Sequence, residues 1–239
     1  MNLFQSLFNY VVLTVSQKNI DESHGIHHAT DVLINAHNIY EKEVETHSYL
    51  KSQEKVIYIS AVLHDMCDKK YMDEQTGINE LNKVLYNSTP FKCKNKDYGQ
   101  EISGTTLPYE VPKQNSPKFS LKEEEIVMIK KIIATMSYSK VNENGFPQDL
   151  GDYTRAYHIV READLLAAYD FDRAMVYHMV QNKESIENAF ANSYELFQHR
   201  MFCHDTDGLL ITDFAKQQHP LLMQQAKLRI QCWKKILHV

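Results

Sequence analysis

Residues 56–65, VIYISAVLHD, set the tightest limit on what this chain can fold into. The run is apolar almost all round, so a helix over 56–68 has no side to spare for solvent and belongs at the centre of a helical bundle. That helix closes on His64 and Asp65. Taking a charged side chain out of water is costly unless it is paired or bound to a metal. The fold therefore has to bring partners to this helix end.

The remaining periodic segments also read as helix. Leu3, Leu7, Val11 and Val15 recur every four residues with Phe4, Phe8 and Val12 beside them, an amphipathic pattern over the first turns. The stretch lacks a basic leader region and a small-residue cleavage site, and polar residues keep it below membrane-spanning length. Further helices are expected over 28–44, 73–87, 173–181, 184–201 and 221–237. Ser120 to Glu123 has the form of a capping box, opening a helix striped by Ile126, Ile129, Ile133 and Met136. Asp152 is placed as the N-cap of a helix running through YHIVREADLLAAYD. No strand, internal repeat or dividing linker is evident. The expectation is an all-α, single-domain bundle over 1–239, with a metal-site core at about 21–180 and helices over 184–239 packing on it.

Two stretches break the pattern. Residues 88–120 hold Pro90, Pro108, Pro112 and Pro117, four of the six prolines, and suit a lid over a binding site or a surface insertion. Residues 139–152 read as a second polar loop.

The bulk numbers exclude some function classes. With 26 Lys and Arg against 31 Asp and Glu, the net charge is −5, which argues against general nucleic-acid binding but leaves room for a local basic pocket. Cys67, Cys93, Cys203 and Cys232 are scattered without CxxC spacing, so neither a zinc finger nor a disulfide framework is expected, and the chain reads as cytoplasmic. Cys67 is read as a buried thiol, not a nucleophile. Walker A and GxGxxG loops are absent. The Lys227–Val239 helix, with Trp233, is expected to pack on the body, with a homodimer contact as the alternative and little to suggest a membrane.

Three separate oddities share one explanation. His24, His27 and His28 crowd the head of a helix, His64-Asp65 closes the buried one, and Asp164 sits inside an apolar helix. A single metal site between three helices accounts for them together. Adjacent His and Asp supply nitrogen and oxygen donors, a set that suits Mn, Mg, Co, Ni or Fe as the divalent ion.

In order and context these residues resemble the HD superfamily of metal-dependent phosphohydrolases, whose signature is H…HD…D. SHGIHHATDVLINA resembles the family's HDxxHxxRV segment, SAVLHDMCDKKY its LLHDxxDxK, and IIATMSYSK with IVREADLLAAYD its IxxISYS…IVxDADxLDA run in small bacterial members. The resemblance covers about residues 21–180. It implies His28, His64, Asp65 and Asp164 as metal ligands, and Asp68 as the residue that positions or deprotonates the attacking water; four residues after His64 and three after Asp65, Asp68 is expected on their helical face. Lys69 matches a family position that could contact phosphate; Arg161, three residues before Asp164, and the looser Lys131 are further candidates for that contact. His24 and His27 are candidates for second contacts or for plain packing. Three positions depart from the family: Gly25 and Glu162 stand where it often has Asp, and Asp31 where it often has Arg. Where that arginine binds substrate phosphate, the usual substrate loses a contact here.

Between Asp65 and Asp164 the sole histidine is His158, whereas dinuclear family members draw further histidines from that interval. The resemblance thus implies one divalent ion and hydrolysis of a phosphoester or phosphoanhydride bond in a small phosphorylated substrate, foremost a nucleotide. The alternative expectation is a catalytically silent nucleotide-binding or sensor module that keeps the same pocket.

Overall fold

A computed structural model describes residues 3–86 and 121–239. The expected lid at 88–120, Cys93 and the Ser120 start of the capping box lie outside the described residues. Within them the chain is helical throughout, with no strand: α1 (Leu3–Lys18), α2 (Ile26–Thr46), α3 (Glu54–Leu63), α4 (Glu74–Tyr86), α5 (Glu123–Thr135), α6 (Tyr138–Asn144), α7 (Thr154–Ala167), α8 (Phe171–Val180), α9 (Ile186–His199) and α10 (Asp213–Leu237). Short 3-10 turns precede α2, α3 and α7 and follow α9.

α3 is the axle of the bundle. Every residue from Val56 to Leu63 is buried, as its all-round apolar surface requires. It packs against α1, α2, α5 and α7, and α2 lies along α7. At about 1.5–3 kcal/mol for each fully buried large aliphatic side chain, this helix carries a large share of the driving force for folding. A second apolar cluster joins Phe171 and Met175 of α8, Phe197 of α9, Met201, and Ala226 and Ile230 of α10. Leu222 packs against both clusters, so the C-terminal helices rest on the first bundle.

The seams between helices are polar and local. Asp170 caps α8, its Oδ1 accepting from the backbone N–H groups of Asp172 and Arg173, and Ser185 caps α9. Thr212 caps α10 through the Ala215 N–H at 3.3 Å. The same segment is fastened to α7. Buried Glu162 accepts from the Ile211 N–H (2.8 Å), the Thr212 N–H (3.0 Å) and the Thr212 hydroxyl (2.6 Å). Trp233 donates to Asp172 at 2.7 Å, which ties α10 to α8. Cys67, Cys203 and Cys232 are free thiols.

Local expectations fail at several helix ends. α5 begins at Glu123, and it is Glu125, not Glu123, that reaches back, accepting from the Lys122 N–H at 2.7 Å. Asp152 does not cap α7. It lies inside the 3-10 turn Gly151–Tyr153, and Tyr153 occupies the cap position without a side-chain bond. The expected loop over 139–152 contains α6, which Gly145 ends at φ +71°, a left-handed conformation that glycine adopts without strain.

Two histidines are sealed in the packing away from the His64-Asp65 pair. Burial, with the positive field of Arg161 and Arg155, pushes His158 down to about 4. Burial, with Arg200 and His219, pushes His204 down to about 3. Both stay neutral in the fold while their unfolded counterparts take up a proton near the ordinary value of 6.5. Stability is therefore full above about pH 6.5 and falls as the pH drops toward 4, by on the order of 2–4 kcal/mol for each buried histidine. Urea midpoints measured from pH 7 to 4.5 should show this decline, and His158→Phe, which fills the same space beside Phe146, should make it shallower. An unchanged slope would remove His158 from the account.

Candidate metal centre

α3 stops at Leu63, one residue before the His-Asp pair. The chain then turns, with the Met66 N–H on the Leu63 carbonyl (3.0 Å) and the Asp68 N–H on that of Asp65 (3.2 Å). Met66 and Cys67 drop into the core, which leaves His64 and Asp65 directed toward α2 and α7. His28 arrives from the first turn of α2, where extended Gly25 starts the helix, and Asp164 from the last turn of α7.

Four donor atoms meet there. His28 Nε2 and His64 Nε2 lie 3.1 Å apart. Asp65 Oδ2 is 3.1 Å from His64 Nε2 and 3.4 Å from His28 Nε2. Asp164 Oδ1 is 3.3 Å from His28 Nε2 and 3.6 Å from His64 Nε2. His64 Nδ1 is 2.8 Å from the Ala61 carbonyl, which can only accept, so this ring nitrogen carries the proton. When the ring is neutral, His64 turns a lone pair, not an N–H, toward the others. This explains why buried Asp65 Oδ2 has no hydrogen-bond donor although two imidazoles surround it. Lone pairs and carboxylate oxygens facing one another in a buried place call for a positive charge between them. His28, His64 and Asp65 could hold a metal ion, with their donor atoms within 4.8 Å of one another. The nitrogen and oxygen donors, and the second bond that fixes the His64 tautomer, fit that use.

The two carboxylates favour positive charge at this point: burial works against charge on His64, yet Asp65 and Asp164 raise it to about 9, so a proton and a metal ion would compete for Nε2. Burial would raise both carboxylates, but the imidazoles hold Asp65 and Asp164 well below the ordinary range. Burial lowers His28 despite its contact with Asp164.

These residues open onto a cavity of about 430 Å³. Asp68 and Lys69 line it. Asp68 gets there by the turn after α3 and not by sharing a helical face with His64, since the helix has already ended. Its Oδ1 accepts from the Lys70 N–H at 2.8 Å. Arg161 and Lys131, the other candidates for phosphate contact, are corrected. Arg161 is buried on another side of α7, donating to the Leu209 carbonyl with Glu162 at 3.3 Å and Phe146 beneath its guanidinium. Lys131 is bound to Asp149 through its carboxylate (2.5 Å) and carbonyl (2.8 Å). His27 faces outward and pairs with Asp31 at 3.0 Å. His24 lines the cavity beside His28, its Nδ1 within 2.7 Å of the Ser23 hydroxyl and 2.9 Å of the Tyr71 hydroxyl. His158 packs on Phe146, outside the cavity.

Sequence reasoning missed the opposite wall. Arg173 and Tyr177 of α8 and Arg200 after α9 line the same cavity. No spacing rule links them to His64, because they arrive on helices of the second cluster.

No family model matches the chain, and no curated protein or solved structure matches it. Among the described residues, no helix is long and apolar enough to cross a membrane.

The turn that presents Asp65 and Asp68 is braced from behind by Gly77 of α4. A Cβ on Gly77 would lie 2.9 Å from Met72 Sδ and 3.0 Å from Cys67 Cα, and the latter is backbone that cannot swing away. Gly77→Val should lower stability by about 1–3 kcal/mol through overpacking and weaken metal uptake by displacing the turn. Chemical denaturation and metal titration read the two effects. A variant with wild-type values for both would show that the 64–68 turn is not held from this side.

Proposed function

We propose that this chain is an HD-type metal-dependent phosphohydrolase acting on a small phosphorylated substrate, foremost a nucleotide. One observation carries the reading: two imidazole nitrogens and two carboxylate oxygens converge, buried, at the floor of a cavity that also holds Asp68 and several cationic side chains. His28, His64, Asp65 and Asp164 would hold one divalent ion. When bound, such an ion supplies Lewis acidity toward a phosphoryl oxygen and toward water.

The side chains divide the remaining work. Asp68 lies in the cavity with Oδ1 engaged by the Lys70 N–H, which fixes the carboxylate; Oδ2, 3.8 Å from the Lys70 ammonium and without a hydrogen bond among the described residues, would accept a proton from an attacking water. Lys69 stands at the same wall and offers charge to the substrate phosphate. His24, backed by Ser23 and Tyr71, holds the ring of His28 in place from the cavity side. The bonds of Glu162 to residues 211 and 212 hold α7 in register, and with it Asp164.

The test is turnover of a panel of nucleoside mono-, di- and triphosphates by chelator-treated protein resupplied with Mn²⁺, Mg²⁺, Co²⁺, Ni²⁺ or Fe²⁺. Hydrolysis should depend on the metal. Asp65→Ala should lose both metal and turnover, and Asp68→Asn should keep the metal while losing about 10²–10⁴-fold in rate, the usual worth of a general base. Metal and nucleotide binding without turnover would replace the hydrolase by a silent binding module. Failure to take up metal would overturn the reading altogether.

A further inference from the structure

The cations and carboxylates that line the cavity balance in number but do not pair one to one. Lys70 lies 3.8 Å from Asp68, and Lys140 is joined to Glu74. Asp170 is used as the cap of α8. Asp65 and Asp164 belong to the metal centre. Among the described residues, Arg173 and Arg200, like Lys69, are left with no carboxylate within 4.0 Å, although they line the cavity.

Each arginine is held in place by something other than an anion. Arg173 Nη1 donates to the Ser23 carbonyl at 2.9 Å, next to His24. The Arg200 guanidinium lies 3.8 Å from the centre of the Tyr138 ring, and its Nε is buried without a hydrogen-bond acceptor. A stacked, pre-oriented guanidinium that lines the cavity is poised for a planar or tetrahedral oxyanion through its outer nitrogens, Nε itself being covered. The two are close enough to the metal centre to matter there. Asp164 acts on Arg200, and Arg173 acts on both His28 and Arg200.

We propose that Arg173 and Arg200 form a two-arginine clamp for the terminal, dianionic phosphate of the substrate, so that the site takes a phosphomonoester or terminal phosphate in preference to a phosphodiester. Two guanidinium groups free of ion pairs, with Lys69 at the same cavity, suit the two negative charges of a monoester better than the one a diester carries. The clamp also answers the departure at Asp31. The residue standing where an arginine is usual points outward and pairs with His27, and α8 and α9 supply the cations instead. The assignment to substrate rests on the hydrolase reading; binding of the oxyanion itself does not.

The experiment is calorimetric titration of the purified full chain with orthophosphate, and separately with dimethyl phosphate, at pH 8. Orthophosphate should bind at least tenfold tighter than dimethyl phosphate. Arg200→Gln and Arg173→Gln should each weaken orthophosphate at least tenfold with metal content and circular dichroism unchanged, and Arg200→Lys should recover part of the loss. If Arg200→Gln does not fold, Arg173→Gln and Arg200→Lys decide the matter by the same criterion. Wild-type orthophosphate affinity in the folded glutamine variants, equal affinity for the diester, or no binding by the wild type overturns the clamp. Arginine-dependent orthophosphate binding in a protein that hydrolyses nothing would leave the clamp standing and the hydrolase reading refuted. Metal-dependent hydrolysis with KM unchanged in Arg200→Gln would do the reverse.

Discussion

Asp65 and Asp164 bring two carboxylates within 3.6 Å of the same imidazole nitrogen, at the closed end of a helix otherwise surrounded by hydrocarbon. Such charges cannot be left there unpaired, so much of the architecture serves to control them. Three segments must meet at fixed separation: the first turn of α2 for His28, the turn after α3 for His64 and Asp65, and the last turn of α7 for Asp164. The apolar faces of α2, α3 and α7 provide the attraction. The polar bonds of Glu162 and Arg161 to residues 209–212 set the register of α7.

The centre is also directional. A single hydrogen bond, His64 Nδ1 to the Ala61 carbonyl, decides which ring nitrogen is free to act as a donor atom. That bond uses a carbonyl near the C-terminal end of α3, where the helix leaves acceptors without intrahelical partners. Ending the helix one residue before His64 therefore both releases the His-Asp pair from the helical course and orients its imidazole.

The second apolar cluster gains a role from this arrangement. α8 and α9 are not needed to bury α3, yet they form the far wall of the cavity. Sites between packed sub-bundles are common because the walls can be shaped independently of the floor. Here the floor carries acidic and imidazole groups and the wall carries Arg173, Arg200 and Tyr177, an opposition of charge that suits an anionic ligand lying between them.

Sequence by itself determined the helical class and the central position of α3, and the cost of burying charge pointed to one site joining His64, Asp65 and Asp164 with the histidines at the head of α2; both are properties of short stretches of chain. The choice of His28 over His24 and His27 came from the family resemblance. That resemblance also put Asp68 and Lys69 at the site, although the helical-face argument for Asp68 failed because a helix boundary depends on the competing bonds around it. Only the tertiary structure decided which cations face the cavity. Arg161 is three residues from Asp164 and reads as its neighbour, but Leu209 and Glu162 draw it to another side of the helix. Arg173 and Arg200 have no sequence link to the His-Asp pair and reach it through the packing of α8 and α9. A guanidinium at the end of a long flexible side chain goes where its partners are, and partners brought by distant segments leave no periodic trace in the sequence.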